Sequence, residues 1–301
     1  MATYMKGCDI MSQGKFKLLG YPLSHSLSPF IHERLFQLSK RNSIYDLYSI
    51  SQQDFDANID SLLQEDGFNV TIPYKMKIMQ YLDELDERAR LYNAVNTVDC
   101  KGKVVGYNTD YYGFLHGLND LGVRLKDGPV LLLGAGGAAH MIAAECILAG
   151  ASLTIAVREQ SLLKGARMRD FLMNINASSH IQVVDIQKIT GHFHLLVNAT
   201  PVGLYPHINE CPVSEEVVMN CDYVYDLIYN PVETKLIQIA REHQIPANNG
   251  VSMLVWQAVY AHKIWYQAEF DEEDIHILIE DTQKAIETDF SVQLSTRQTQ
   301  I

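Results

Sequence analysis

The chain has few cysteines, and they form no recognisable pattern. Its five cysteines, Cys8, Cys100, Cys146, Cys211 and Cys221, are scattered and include no C-x-x-C pair. A disulfide framework and a structural zinc site are therefore not expected, and a reducing cytoplasmic location fits better. No cluster of histidine, cysteine and acidic residues has the spacing of metal ligands, so we expect no metal.

Positive charge and long apolar runs are also scarce. The chain has 24 Lys and Arg against 36 Asp and Glu, a formal net charge of -12. Because binding to a phosphate backbone needs clustered positive charge, nucleic acid is not an expected partner. No apolar run approaches the length that spans a membrane, and the N-terminus has no apolar signal core, so no membrane association is expected.

The overall composition is that of an ordinary globular protein. Hydrophobic residues make up 47% and charged residues 20% of 301 residues, a length that suits two domains or one large one. The ends, residues 1–14 and 291–301, are polar, and we expect them to be flexible.

A short apolar strand, a glycine-rich turn and a small-residue helix follow one another over residues 129–150. The turn is Gly134-Ala135-Gly136-Gly137-Ala138-Ala139, with G-x-G-x-x-A spacing. In a dinucleotide-binding fingerprint the first glycine makes the turn and the second lets the backbone approach the pyrophosphate. The helix N-terminus then faces the phosphates. A glycine-rich turn without a ligand is the alternative, but the flanking strand and helix favour a dinucleotide.

Strands and helices alternate through the second half of the chain. Predicted strands at 153–157, 195–199 and 223–228 indicate a doubly wound parallel sheet. The first of them ends at Arg158-Glu159, 24 residues after Gly134. At that position an acid binds the ribose 2′-hydroxyl of NAD and an arginine binds the 2′-phosphate of NADP. The arginine favours NADP, and the adjacent glutamate leaves NAD as the alternative.

Polar side chains are concentrated in loops of the first half. Ser24, Ser26 and Ser28 surround His25. Ser28 could cap a helix that begins at Pro29. Three serines exceed what one cap requires, so this loop also suits a polar small molecule with several hydroxyls.

Three further loop residues suit the handling of a proton. Thr71 and Lys75 follow a predicted strand, at the end where ligands collect in open α/β sheets, although a lone lysine is more often a solvated surface charge. Asp110 could be a helix cap or first-turn acid, or a carboxylate held beside a substrate. The neighbouring Asn96 and Asn108 favour the second interpretation.

Eight motifs, in order from residue 16 to about 270, resemble those of the shikimate dehydrogenase family, including its quinate/shikimate branch. They are Gly20-x-Pro22-x-x-His25-Ser26-x-Ser28-Pro29, Asn69-Val70-Thr71-Ile72-Pro73-x-Lys75, Asn96-Thr97, Asn108-Thr109-Asp110, Gly134-Ala135-Gly136-Gly137-Ala138, Asn198-Ala199-Thr200, Asp226-x-x-Tyr229-x-Pro231 and Asn249-Gly250-x-x-Met253-Leu254-x-x-Gln257.

The resemblance implies reversible reduction of 3-dehydroshikimate to shikimate with a nicotinamide cofactor, NADP favoured. It places Lys75 and Asp110 at the reacting hydroxyl, where a lysine ammonium can donate a proton to the ketone. The implied substrate contacts are Ser26, Ser28, Thr71, Asn96, Tyr229 and Gln257. The implied cofactor contacts are Gly134, Ala135, Gly136, Gly137, Ala138, Arg158, Thr200, Gly250 and Met253, with Glu87 and Leu227 as lesser ones.

The resemblance also implies an α/β fold of two domains. An N-terminal α/β domain, residues 15–113 with 251–290, would bind the substrate, and a Rossmann-like doubly wound domain, residues 114–250, would bind the cofactor. The C-terminal helices would return to the first domain, and the cleft between the domains would close on binding. A homodimer is compatible with the sequence, which does not determine the oligomeric state.

The chain departs from the family pattern in three places. Val157-Arg158-Glu159 stands where Asn-Arg-Thr is common, His140 where arginine is frequent, and Ser252 where glycine is common. One alternative function is a quinate-preferring enzyme. A non-catalytic ligand sensor is disfavoured by Lys75, Asp110 and the lack of a DNA-binding module. A methylenetetrahydrofolate dehydrogenase is disfavoured by the serine-rich loop.

Overall fold

The computed structural model describes residues 13–23 and 26–298. These residues form an α/β fold of two domains, each built around a six-stranded sheet. The predicted flexible ends, 1–14 and 291–301, fall largely outside the described residues. Two parts of these ends are described: Gly14 begins the first strand, and the backbone of 291–298 continues the last helix.

The first sheet belongs to the N-terminal domain and has the strand order β2-β1-β3-β5-β6-β4. Its elements are β1 (Gly14–Gly20), α1 (Ser28–Leu38), β2 (Ser43–Ser49), α2 (Phe55–Leu62), β3 (Gly67–Val70), a 3-10 turn (Lys77–Tyr81), β4 (Glu84–Leu85), α3 (Glu87–Tyr92), β5 (Thr97–Asp99) and β6 (Val105–Tyr107). Strand β5 runs antiparallel to both β3 and β6. The end of β3, the start of β5 and the end of β6 therefore meet at one edge of the sheet.

The second sheet is parallel throughout and has the order β12-β11-β10-β7-β8-β9. Its elements are β7 (Val130–Leu133), α5 (Gly137–Leu148), β8 (Leu153–Val157), α6 (Leu162–Ile175), β9 (Ile181–Asp185), β10 (Phe193–Asn198), α7 (Glu215–Met219), β11 (Cys221–Asp226), α8 (Lys235–Glu242) and β12 (Ala247–Asn248). The chain order reverses between β7 and β10, which is where such sheets bind ligands.

Successive residues of β7 show why this sheet is covered on both faces. Val130 and Leu132 pack into one apolar cluster with α5 and α6, and Leu131 and Leu133 pack into another with α8. Because side chains alternate along a strand, a continuous apolar run requires two buried faces. The doubly wound parallel sheet predicted from the sequence is confirmed.

Three helices join the domains: α4 (Asp110–Asp120), α9 (Val251–Tyr266) and α10 (Glu272–Gln298). Helix α9 packs along α4 and also contacts α1 and α10, so the C-terminal helices return to the first domain. Close approach of α4 and α9 depends on Gly113, because a Cβ there would lie 2.4 Å from the carbonyl oxygen of Met253. Within the described residues, no helix is long and apolar enough to cross a membrane.

Candidate active site

A cavity of about 610 Å³ opens between the domains, at the edge where β3, β5 and β6 meet. The end of β3 is followed by Thr71 and Lys75, the start of β5 is preceded by Asn96, and β6 is followed by Asp110. Eight residues predicted to contact the substrate all line this cavity: Ser26, Ser28, Thr71, Lys75, Asn96, Asp110, Tyr229 and Gln257. Tyr229 reaches it from the loop after β11 in the second domain.

Lys75 and Asp110 form an ion pair in the wall of this cavity. Lys75 Nζ donates to Asp110 Oδ2 at 2.6 Å, and the two side chains are 30% and 20% exposed. The backbone of Lys75 is held because its carbonyl accepts a hydrogen bond from the amide of Val95 at 2.8 Å. Tyr74, which is buried, donates its phenol to the carbonyl of Ile50. The lysine loop is therefore anchored on both sides of its reactive side chain.

The second oxygen of Asp110 is held by a buried amide. Asn96 Nδ2 donates to Asp110 Oδ1 at 2.8 Å, and Asn96 Oδ1 accepts the backbone amide of Thr109 at 2.6 Å. Behind Asn96, Asn69 Nδ2 donates to Thr97 Oγ1 at 2.9 Å, and Asn69 Oδ1 accepts the phenol of Tyr45 at 2.8 Å. Polar groups buried in this way need partners, and the network gives Asp110 a fixed orientation.

Ser28 does not cap the helix that follows it. Helix α1 begins at Ser28 itself, and its N-cap residue, Leu27, makes no capping side-chain hydrogen bond. The Ser26 hydroxyl accepts the backbone amide of Ser28 at 3.2 Å. The interpretation of Ser28 as an N-cap is therefore wrong. Its hydroxyl instead accepts a hydrogen bond from Ser26 at 3.1 Å, and both serines line the cavity. Ser24 and His25 lie outside the described residues.

The cavity offers neutral donors around a single cation. Burial raises the pKa of Tyr229, so its phenol remains a neutral hydrogen-bond donor. Gln257 donates to the carbonyl of Leu254 at 2.8 Å, which fixes its side chain at the cavity wall. Among the described residues that line the cavity, Lys75 is the only one with a cationic side chain. The geometry suits a small molecule with several oxygens, one of which lies at Lys75.

A second cavity, of about 560 Å³, lies on the other side of the ion pair. It shares Thr71, Ile72, Lys75 and Asp110 with the first and extends to Gly137 and Ala138 at the start of α5. The pair therefore stands between a hydroxyl-lined cavity and the glycine-rich turn.

The glycine-rich turn has the geometry that the sequence predicts. Gly134 has φ +104°, and a Cβ there would lie 3.1 Å from the carbonyl oxygen of Ala199. A Cβ at Gly136 or Gly137 would meet no atom within 4 Å, so this backbone is open to a ligand. Helix α5 begins at Gly137, and its free amides point into that space. These residues fit a dinucleotide pyrophosphate.

Comparison with known proteins agrees with this geometry. The family model described as "Shikimate dehydrogenase substrate binding domain" matches residues 18–98. The shikimate dehydrogenase (NADP(+)) of Clostridium perfringens is 40% identical over 268 residues, which are 87% of this chain and 96% of that protein. The chain belongs to the shikimate dehydrogenase family.

Solved structures of family members have the same fold. A chorismate mutase/shikimate 5-dehydrogenase fusion protein from Clostridium acetobutylicum superposes with TM-score 0.82 at 32% identity, covering 92% of this chain and 100% of that one. Shikimate 5-dehydrogenase from Thermus thermophilus, in complex with NADP(H) and shikimate, superposes with TM-score 0.79 at 28% identity, covering 89% and 99%.

Most of the remaining residues predicted to contact the cofactor lie at the carboxyl ends of the second sheet, whereas Glu87 begins α3 of the first domain and Met253 lies on α9. Arg158 follows β8 and is exposed, and Thr200, after β10, donates its hydroxyl to Asn198 Oδ1 at 2.7 Å. A Cβ at Gly250 would lie 2.1 Å from the carbonyl oxygen of Leu227, so only glycine fits there. Nine of the predicted cofactor contacts line neither cavity: Gly134, Ala135, Gly136, Arg158, Thr200, Leu227, Gly250, Met253 and Glu87.

One buried acid supports this part of the family fold. Asp226 ends β11 and accepts hydrogen bonds from Asn198 Nδ2 at 2.9 Å and from the hydroxyl of Thr234 at 2.7 Å. Burial raises the pKa of Asp226 to about 6, and these hydrogen bonds oppose the rise. Asp226 thus fixes Asn198, which in turn orients Thr200. Its role is to hold the loop.

Sequence reasoning missed two residues that lie behind the Lys75–Asp110 pair. Tyr45 orients Asn69 from β2, and Glu145 on α5 contacts α3 of the other domain. Nothing local distinguishes Tyr45 from a core residue, although Glu145 interrupts an otherwise apolar stretch of α5. Within the described residues no group of histidine, cysteine and acidic side chains is arranged to hold a metal ion.

Proposed function

We propose that the protein is a shikimate dehydrogenase that reduces 3-dehydroshikimate reversibly to shikimate with NADPH. The observation that carries the proposal is the Lys75–Asp110 pair, which stands between the hydroxyl-lined cavity and the glycine-rich turn. The similarity to an enzyme of that name over 87% of the chain supports it. So does the similarity in fold to an enzyme solved with NADP(H) and shikimate.

The residues of the pair handle the proton. Nicotinamide, when bound, supplies or accepts the hydride at the substrate's carbinol carbon. During reduction the Lys75 ammonium donates a proton to the ketone oxygen, and during oxidation the neutral Lys75 amine takes one from the hydroxyl. Asp110 holds the lysine and the substrate hydroxyl, while Asn96 holds Asp110. The proton thus moves within a short network whose members are already oriented.

The rest of the first cavity recognises the substrate. Ser26, Ser28 and Tyr229 present hydroxyls to the substrate carboxylate, and Thr71, Asn96 and Gln257 contact its ring hydroxyls. Because these donors bind the substrate carboxylate, it does not compete with Asp110 for Lys75. Each buried polar group in the cavity pairs with a matching hydroxyl of the substrate. An analogue that lacks this hydroxyl would leave the group unpaired and would therefore bind less tightly.

The cofactor lies along the second sheet in this proposal. Gly134, Ala135, Gly136, Gly137 and Ala138 hold the pyrophosphate, and Arg158 holds the 2′-phosphate of NADP. Thr200, Leu227, Gly250 and Met253 line the nicotinamide end, and Glu87 is a more distant contact. NAD remains the alternative because Glu159 is adjacent to Arg158. The domain bounds, a homodimer and a cytoplasmic location stay predictions.

Steady-state kinetics test this function directly. The rates of oxidation of shikimate and of quinate are measured, each with NADP and with NAD. We expect the highest kcat/KM for shikimate with NADP. A higher kcat/KM for quinate would make this a quinate-preferring member of the family. If neither alcohol reduces either cofactor, the proposed function is wrong.

A further inference from the structure

A buried carboxylate of the nucleotide domain meets two side chains of the substrate domain. Glu145 lies on α5, and its side chain is 6% exposed. Its Oε1 accepts a hydrogen bond from the phenol of Tyr92 and lies 3.2 Å from Nη1 of Arg88. Both partners belong to α3. This cluster, Arg88–Tyr92–Glu145, joins the domains beside the second cavity, whose wall includes Tyr92.

Because Glu145 is buried, its contact with Tyr92 and Arg88 favours one arrangement of the two domains. A buried carboxylate costs several kcal/mol unless donors meet it. Glu145 lies among the buried residues Ala144, Cys146 and Ile147 of its own helix, so the donors come from α3. Burial and the bond to Glu145 raise the pKa of Tyr92 far above its usual range, and the phenol therefore stays a donor.

The same side chains of α3 also contact the segment that bears Asp110. Tyr111 directly follows Asp110 in α4. The guanidinium carbon of Arg88 lies 5.2 Å from the centroid of the Tyr111 ring. The ring of Tyr92 meets the Tyr111 ring edge-on, with centroids 6.1 Å apart. A shift of α3 would therefore be transmitted to the start of α4.

The chain beyond α3 is tied to both members of the catalytic pair. The carbonyl of Ala94 accepts a hydrogen bond from Asn108 Nδ2 at 2.9 Å, two residues before Asp110. The amide of Val95 donates to the carbonyl of Lys75 at 2.8 Å. Helix α3 thus lies between α5, which begins at the glycine-rich turn, and the residues that hold the proton.

We propose that Tyr92 and Glu145 are positioning residues for the dehydrogenase reaction. Their hydrogen bond fixes α3, and with it Lys75 and Asp110, at a set distance from the helix that begins the cofactor site. Hydride transfer needs its reacting atoms aligned, and a misplacement of about 1 Å can cost a hundredfold in rate. The catalytic consequence rests on the proposed function; the contact between the domains does not.

Removal of the phenol or of the charge should therefore slow the reaction. We expect Tyr92→Phe and Glu145→Gln each to lower kcat about three- to tenfold. The Kd for NADP should stay within about twofold, because the nucleotide domain alone holds the phosphates. The double variant should be no slower than the slower single one, since both changes weaken the same contact.

Tyr81→Phe is the matched control. The phenol of Tyr81 donates to Asp56 Oδ1 at 2.6 Å, a comparable bond that lies on the surface of one domain. We expect it to leave kcat unchanged. All rates are compared well below the melting temperature of each variant, so that lower stability alone does not reduce the rate.

A second measurement needs neither cofactor nor activity. Amide hydrogen exchange of the cofactor-free protein should accelerate at residues 89–96 and 107–112 in Tyr92→Phe and in Glu145→Gln, and not in Tyr81→Phe. Unchanged kcat and unchanged exchange in both variants would overturn the inference, as would an equal loss of kcat in the control. A parent protein that oxidises neither alcohol would refute the proposed function instead, and the exchange result would still decide whether the contact fixes α3.

Discussion

Lys75 and Asp110 differ from the surface ion pairs of the chain because both are also tied to the fold. Lys75 is tied by its carbonyl and Asp110 by Asn96, so the pair keeps its geometry when a ligand replaces water. Lys75→Ala removes the proposed proton donor and should lower kcat by about two or more powers of ten. The Kd for NADP, measured by fluorescence titration, should stay nearly the same because the glycine-rich turn is unaltered.

Lys77→Ala is the control for this change. Lys77 lies two residues on and pairs with Asp56 at 2.7 Å, away from both cavities. We expect its kcat to equal that of the parent. An unaltered kcat in Lys75→Ala would remove Lys75 from the mechanism.

Arg158 favours NADP as the cofactor, whereas the adjacent Glu159 favours NAD. Both side chains are exposed at the end of β8. Arg158→Ala should raise the KM for NADP about tenfold or more and leave the KM for NAD within about twofold, because only NADP has the 2′-phosphate. Glu159→Ala should lower the KM for NADP by removing a like charge. Equal effects of Arg158→Ala on both cofactors would exclude a contact with the 2′-phosphate.

At the scale of elements, α1 and α9 are joined by two buried histidines, His32 and His262. Their rings approach at 3.1 Å between Nδ1 of His32 and Nε2 of His262, and His32 stacks on Tyr45. Burial lowers the pKa of His262 to about 3, and burial together with His262 lowers that of His32. Among the described residues, the other nitrogen of each ring has no hydrogen-bond partner. A protonated ring would therefore have an unpaired buried N–H.

This pair should make the protein less stable in acid. An unfolded histidine has a pKa near 6.5, so between about pH 6.5 and 3 the unfolded state binds more protons than the folded state. The stability is complete above that window and is lost as the pH falls through it, by roughly 2 kcal/mol at pH 5 for His262 alone. Urea unfolding at pH 7 and pH 5 measures this loss.

Two variants separate this effect from general acid sensitivity. His262→Gln keeps a hydrogen-bonding side chain that does not titrate, and its loss of stability between pH 7 and 5 should be smaller than in the parent. His192→Gln, at a site whose side chain is 62% exposed, should leave the loss unchanged. The same pH dependence in His262→Gln and the parent would contradict the assignment.

The sequence predicts a helix or strand well when the residues that determine it are close together in the chain. Strand β8 was predicted with its observed bounds, because an apolar run stands alone between Gly150 and Arg158. The two-residue strand β4 is too short for a hydrophobic period. Ser28 is not the N-cap that the Ser-Pro pair suggests, because the helix begins one residue earlier.

The residues of the candidate site likewise differ in how far the sequence predicts them. Residue type and position predict site residues in loops at strand ends, such as Thr71 and Asp110, and both line the first cavity. Contacts between distant segments could not be found, since Tyr92 and Glu145 are 53 positions apart and His32 and His262 are 230 apart. Such pairs are set by how the helices pack, which a single sequence does not specify.

For the whole molecule, the first cavity has large apolar side chains exposed on both sides of the cleft. Ile72 is 75% exposed and Tyr21 48% exposed on the substrate domain, and Leu204 is 38% exposed on the nucleotide domain. Exposed apolar groups that face one another across a binding cleft are buried when it narrows. Closure of the cleft on its ligands would therefore gain stability from these residues and exclude water from Lys75.

Ile72→Ser tests closure, because it removes apolar area without touching the ion pair. Partial burial of an isoleucine side chain is worth about 1 to 2 kcal/mol, so the KM for shikimate should rise roughly tenfold. Small-angle scattering should show a smaller radius of gyration when NADP and shikimate are added to the parent, and a weaker decrease in Ile72→Ser.

Ile44→Ser, at a 37% exposed site on β2 that lines neither cavity, should behave as the parent does. A radius of gyration that does not respond to the ligands would mean that the cleft does not close, and the exposed Ile72 would then need another explanation.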